Sequence, residues 1–401
     1  MTSTKDTINW GSCNWGPGLF IIGYHLFLLI AVPLYLYQYS PSWTLLICSF
    51  ILFNATGVSI TAGYHRLFSH KAYQAHPIVE WTLLFFGTMA TQGSVLRWSF
   101  DHRHHHSFVD TDNDPYSINK GFWYAHFLWL FEKPKEIDTK VVADLVRNPR
   151  VLFQHNYYAL LSLGINLLAI FFVGWWTGEY FGAFLFAGLV RMFFLHHFTW
   201  FINSLAHTWG ARTFCQELSA ADNYIISLVT FGEGYHNYHH TFAYDYRNGI
   251  RWYHFDPSKW LIWTLSKLRL TSNLKMNKRL FIQERIILDR KALLLDKLQA
   301  AFGDYKEMWE ESVTKLSESL IVKLQEWKKL SDLYLNLKQQ KESKDCLRDI
   351  KQQIKAIKKG FKREYSNWKR FYRHSMAMAS SAMASSVAFK FQEPPQMTAS
   401  S

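Results

Sequence analysis

The run LFIIGYHLFLLIAVPLYLY, Leu19–Tyr37, holds no charged side chain, and its reading decides what kind of protein this is. As an α-helix it would reach about 28 Å, close to the ~30 Å hydrocarbon thickness of a bilayer. A second apolar run, Trp43–Ala62, follows a short turn containing Pro41, so the two make a hairpin that returns the chain to the side it left. Tyr157–Trp176 and Tyr180–Ala206 repeat the pattern through Thr177-Gly178-Glu179. The last run carries Arg191, His196 and His197, so its later half is expected to be covered by protein. We expect His25, His196 and His197 to be satisfied by neighbouring helices. Trp81–Leu96 is uncharged but too short to span, and reads as a half-buried or surface-lying helix.

Charge sets the expected orientation. The hairpin turns lack Lys and Arg, whereas the segment between the hairpins holds ten of them, from Arg66 to Arg150. By the positive-inside rule both termini and the long middle segment are cytosolic. The net charge of +13 could suit nucleic acid or an anionic membrane surface, and the four apolar runs select the membrane. Met1–Trp15 is polar and lacks the pattern of a signal peptide. Cys13, Cys48, Cys215 and Cys346 are too scattered for a disulfide framework or a zinc finger.

The mean hydropathy of −0.11 averages two unlike parts. Residues 1–265 are apolar and aromatic; residues 266–374 are basic and partly heptad-patterned. In this extension Val313, Leu316, Leu320, Trp327, Leu330, Tyr334 and Leu337 follow an a/d spacing. That spacing predicts a helical hairpin, a docked helix, or self-association through 313–337. The tail 375–401, rich in Ser, Ala and Met, is expected to be disordered.

Chemistry concentrates in the histidines. In Asp101-His102-Arg103-His104-His105-His106, a helix would put His102, His105 and His106 on one face and His104 on another. Asp101 and Arg103 are then expected to orient the imidazoles from behind. His236, His239 and His240 repeat the same H-x-x-H-H spacing, and Asn203 and His207 stand at i, i+4. His65 and His70, five apart, need a distorted helix or a helix end to converge. These nine imidazoles share one depth, at the cytosolic ends of spans or just beyond. Nine nitrogens exceed what one four-coordinate zinc takes, and suit two metals, with iron favoured by imidazole-rich ligation. A transporter would instead set ionisable ligands mid-membrane at a broken helix. His76, His126, His155, His254 and His374 lack ligand spacing.

The boxes Gly63-Tyr64-His65-Arg66-Leu67-Phe68-Ser69-His70, Trp98–His106, Asn203–His207 and Gly232–His240, with Asp114-Pro115 and Gly121-Phe122-Trp123, resemble the integral-membrane fatty acyl desaturases of the stearoyl-CoA (Δ9) type. The resemblance runs over about residues 8–265. It implies an all-α integral membrane fold: four spans in two hairpins, a cytosolic helical cap holding a di-iron site, and here a C-terminal helical extension. It implies two non-haem irons held by His65, His70, His102, His105, His106, His207, His236, His239 and His240, with Asn203 reaching one iron through water. The implied reaction uses O₂ and two electrons to set a cis double bond into a long saturated acyl-CoA. Trp98, Thr199 and Gln92 fall at the kink of the implied substrate tunnel, and Lys133 near its headgroup contacts. Action on lipid-linked or carrier-linked chains, or hydroxylation at the same centre, are the alternative readings. The sequence shows no haem motif, iron–sulfur cysteine pattern or dinucleotide loop. Electrons are therefore expected from a separate small b-type cytochrome or a ferredoxin with its reductase, in the endoplasmic reticulum or a bacterial inner membrane.

Overall fold

The computed structural model describes residues 13–302 and 306–390. Four of its helices are long and apolar enough to cross a membrane: Trp15–Gln38, Trp43–Ser69, Tyr158–Thr177 and Tyr180–His207. The short link 39–42 joins the first two and Gly178-Glu179 the last two, the connections that hairpins require. Ser42 starts the second span by accepting a hydrogen bond from Leu45 N at 3.1 Å. Glu179, in the turn of the second hairpin, accepts from Ser42 N at 3.3 Å and from the Tyr35 hydroxyl at 3.2 Å, and so ties the two turns together.

Small residues bring the spans close. Leu45 packs with Val173, Ala183 and Ala187, while Ile21, Tyr24, Leu28, Ala31 and Tyr35 pack with Leu185 and Trp200. Leu29, Ile30, Leu160 and Leu168 on the outer faces stay exposed, as side chains facing lipid would.

Several polar groups inside the spans find partners within the protein. Arg191 is buried against the carbonyls of Ala187 and Met89 and the amide of Asn166. His196 lies 3.1 Å from both the Tyr24 hydroxyl and Ala90 O. His25 and His197 meet at 2.9 Å, and the far nitrogen of His197 is 3.1 Å from His126, whose other nitrogen is 2.9 Å from Ser204 Oγ. Nothing in the spacing of His126 marked it for this chain of imidazoles.

The stretch Trp81–Leu96 is not one helix. Thr91 at φ +58° and Gly93 at φ +93° turn the backbone left-handed and break it. A half-buried helix, Pro77–Met89, precedes the break. Ser94 then caps a new helix, Val95–Phe108, which carries the opening histidine box.

Two compact units make up the chain: Leu218–Met276 with the chain up to Thr213, and Phe214–Glu217 with the chain from Asn277. The first closes on itself through the antiparallel pair Gln74–Ala75 and Thr271–Ser272, extended by Lys275 N bonded to Ala72 O at 2.9 Å.

The second unit is three helices, Arg279–Ala301, Lys306–Gln339 and Lys344–Lys390, around Ile287, Leu294, Leu298, Val313, Leu320, Leu324, Phe361 and Trp368. Of the 313–337 seam, Val313 and Leu320 are buried in this core and Trp327 packs against it, whereas Leu316 is exposed. The expected disorder of 375–401 is corrected in part, because the last helix continues to Lys390. Ala and Met favour helix, and Ser375 and Ala379 are buried. Residues 391–401 lie outside the described residues.

Candidate metal centre

The second span does not end as an α-helix. Over Ser59–Ser69 it widens into a π-helix, whose hydrogen bonds run between residues five apart. That turn brings His65 and His70 together, with ring centroids 4.8 Å apart, and supplies the distortion their spacing required. Ser69 Oγ serves the carbonyl of Tyr64 at 2.8 Å, which helps hold the wide turn.

The helix Val95–Phe108 presents His102, His105 and His106 to the same space. His104 faces away, with its ring near Phe108 and its Nε2 3.1 Å from Lys135 Nζ. His207 ends a short turn at the close of the fourth span, and the helix His236–Thr241 contributes His236, His239 and His240. The nine imidazoles assemble into two groups: His65, His70, His102, His106 and His239, and then His105, His207, His236 and His240. Within each group the candidate ligand atoms lie within 4.8 Å of one another.

Hydrogen bonding at the outer nitrogens tests whether a cation fits. His105 Nδ1 is 2.8 Å from Asp114 Oδ1; an ionised carboxylate only accepts, so Nδ1 carries the hydrogen and Nε2 is a bare lone pair. Ser219 Oγ donates to Asp110 and therefore accepts from His207 Nδ1 at 2.6 Å, which bares His207 Nε2 as well. His65 Nδ1 lies 2.9 Å from Glu233 Oε2, out of line for a straight hydrogen bond but at ion-pair distance.

The bare atoms point inward at one another. His105 Nε2 stands 3.3 Å from His240 Nε2, which is 3.0 Å from His236 Nε2, itself 3.0 Å from His207 Nε2. His239 Nε2 is 2.9 Å from His65 Nε2 and 3.0 Å from His106 Nε2. One N–H cannot serve two such neighbours, so without a cation some pairs oppose lone pair to lone pair or hydrogen to hydrogen. Imidazole nitrogens ~2.1 Å from a shared ion at right angles stand ~3.0 Å apart, the spacing seen here. The residues fit a metal in each group.

Burial pushes His70, His102, His106, His236, His239 and His240 well below the ordinary imidazole value, and neighbouring imidazoles add to it. All are held in the neutral form that binds metal. Burial alone would raise the Glu233 carboxyl, but His65 and Arg66 hold it below its ordinary value.

Asp101 and Arg103 do not orient the imidazoles as expected. Asp101 pairs with Arg97 one turn earlier. Arg103 donates to the carbonyls of Phe68 and Ser69 at 2.7 and 2.9 Å, and to Asp144, so it secures the end of the π-helix. The groups behind the ligands are Asp114, Glu233, Ser219 with Asp110, and Tyr116, whose hydroxyl is 3.4 Å from His102 Nδ1. Sequence reasoning missed their roles. Glu233, three residues before His236, was the nearest available signal.

Arg66 is buried between two carboxylates, reaching Glu233 at 2.8 Å, Asp256 at 2.9 Å and the Tyr246 carbonyl at 2.8 Å. It locks the π-helix to the loop that leads into the last histidine box.

Asn203 ends the helix Arg191–Asn203, four residues before His207. Gln92 Nε2 donates to Thr199 Oγ1 at 2.9 Å, which joins two of the expected tunnel residues directly. Trp98 stacks on His102 with ring centroids 4.9 Å apart. Lys133 is exposed.

Residues 41–269 match the family described as fatty acid desaturase. The chain is 41% identical over 295 residues to a probable acyl-CoA desaturase of Schizosaccharomyces pombe, covering 73% of this chain and 60% of that one. It is 38% identical over 290 residues to acyl-CoA desaturase 1 of Saccharomyces cerevisiae, covering 72% and 56%. It therefore spans somewhat over half the length of these two yeast relatives. An sn-1 stearoyl-lipid 9-desaturase of Anabaena variabilis is 33% identical over 279 residues, 69% of this chain and 97% of the relative. The chain, a membrane protein with two imidazole groups able to hold metal, belongs to the fatty acid desaturase family.

Proposed function

We propose that this protein inserts a cis double bond, at Δ9, into a long saturated acyl-CoA. The observation that carries the reading is the pair of imidazole groups, five and four, to which the ends of the second and fourth spans contribute His65 and His207. Each group would hold one iron, with Asn203 reaching one of the two through water. Bound there, the irons supply activation of O₂, which takes two electrons and two protons and leaves as water while adjacent carbons lose two hydrogens.

The chain's own residues bind and orient. Trp98 rests one face on His102, so an acyl chain against its other face lies close to the imidazoles. Gln92 and Thr199, bonded to each other, form a polar wall at which a bent chain conformer fits. Lys133 is available to the acyl carrier's phosphates. Asp114, Glu233 and Ser219 keep the imidazoles they touch aimed inward, and Arg66 holds Glu233 in place.

Electrons come from a separate carrier, a small b-type cytochrome or a ferredoxin with its reductase. Both termini lie in the cytosol, in the endoplasmic reticulum or a bacterial inner membrane. The long match to the Anabaena lipid desaturase supports a second reading, action on acyl chains already esterified in lipid.

Expression in a desaturase-deficient host, with gas chromatography of the fatty acids, tests the reaction. Δ9 monoenes are expected; hydroxy acids, or no product from iron-replete protein, would overturn it. Supplying labelled acyl-CoA or labelled phospholipid to isolated membranes then separates the two carriers.

A further inference from the structure

The second unit carries most of the chain's charge imbalance. Residues 277–401 hold 25 Lys and Arg against 15 Asp and Glu, ten of the thirteen surplus positive charges. The surplus is concentrated on the last helix. Between Lys351 and Arg373 lie Lys351, Lys355, Lys358, Lys359, Lys362, Arg363, Lys369, Arg370 and Arg373, with Glu364 as the one acid.

At 100° per residue all nine fall within an arc of about 140°, in a stripe about 33 Å long. Phe361 and Trp368, on the other side, are buried in the three-helix core. All nine basic residues are exposed, and none forms an ion pair among the described residues. Glu364 is already engaged by Lys323 and Ser319.

Nine like charges on one face repel one another unless an anionic surface lies against them. We propose that this stripe is a docking surface for the anionic phospholipid headgroups of the membrane that the chain itself spans. Three observations favour lipid over an acidic protein. The stripe is long and confined to one side of the helix, suiting a flat surface. The apolar side of the helix is already used in the core, so contact is electrostatic rather than inserted. The unit follows the membrane unit directly at Met276, so headgroups are present at high effective concentration.

The full chain in nanodiscs tests this by amine acetylation with an uncharged reagent, read by mass spectrometry. In discs with 30% phosphatidylglycerol at low salt, the stripe lysines should react at least fivefold more slowly than in pure phosphatidylcholine. The difference should vanish at 0.5 M salt, and the exposed Lys328 and Lys329 of the neighbouring helix should react alike in both. The triple variant Lys355→Glu, Lys358→Glu, Lys362→Glu should lose the lipid-dependent protection of Lys351 and Lys369. Equal rates in the two discs would overturn the proposal, as would protection that appears only when an acidic protein is added.

Discussion

His70 donates its backbone N–H to the carbonyl of His65, five residues earlier and 3.0 Å away. An α-helix would send that bond to Arg66 and turn the two rings apart. The wide turn depends on Ser69, whose hydroxyl bridges Tyr64 O and Ser99 Oγ inside the protein. Ser69→Ala leaves the buried Tyr64 carbonyl without this donor and the Ser99 hydroxyl without this acceptor, and should lower stability by ~1–3 kcal/mol. Thermal unfolding in detergent reads this, and an unchanged midpoint would mean that the turn holds without it.

His104→Ala and His105→Ala remove neighbouring imidazoles with opposite expected outcomes. The first should leave about two irons per chain and most activity, because His104 faces Lys135 and Phe108. The second should lose iron from the four-imidazole group and abolish desaturation. Metal analysis of the purified variants checks it; equal loss in both would contradict the inward and outward assignment.

Arg66→Met removes the cation between Glu233 and Asp256 and leaves two buried carboxylates facing each other. Breaking such a pair costs ~3–5 kcal/mol. The variant should express poorly or melt at much lower temperature. Combining it with Glu233→Gln and Asp256→Asn should recover part of the loss, and failure of any recovery would argue against the ionic explanation.

Asp222 gives a pH dependence of definite sign. Burial pushes its carboxyl up to about 7, against the donors of Tyr238 and Asn237. The unfolded chain releases this proton near pH 4 and the folded chain near 7, so stability falls as pH rises between those values. Asp222→Asn keeps an oxygen to accept from Tyr238 N, now at 3.0 Å, and should be the more stable form, by a margin that widens from pH 5 to 7 and then levels. Melting curves across that range decide it; a constant margin would sink the argument.

The sequence carried the spans and the imidazole faces because both follow from local arithmetic: an uncharged run of bilayer length, and neighbours at i, i+3 and i+4. The π-helix was legible only as a demand, since His65 and His70 could not converge otherwise. The partners that aim the ligands were not legible. Glu233 stands 168 positions from His65 and Asp110 stands 109 from Ser219, and only the fold brings such pairs together. The tail was misjudged because Ser-rich composition concealed a buried Ser375 and Ala379 within strong helix formers.

The pairing of Gln74–Ala75 with Thr271–Ser272 also fixes an order of biosynthesis. A ribosome delivers all four spans before His236, His239 and His240, and the closing strand later still. The nascent chain can therefore enter the bilayer while the four-imidazole group lacks half its members. The imidazole groups are then complete only once residue 240 has been made, and a chain stalled before His236 would be lodged in the bilayer with both groups short of members.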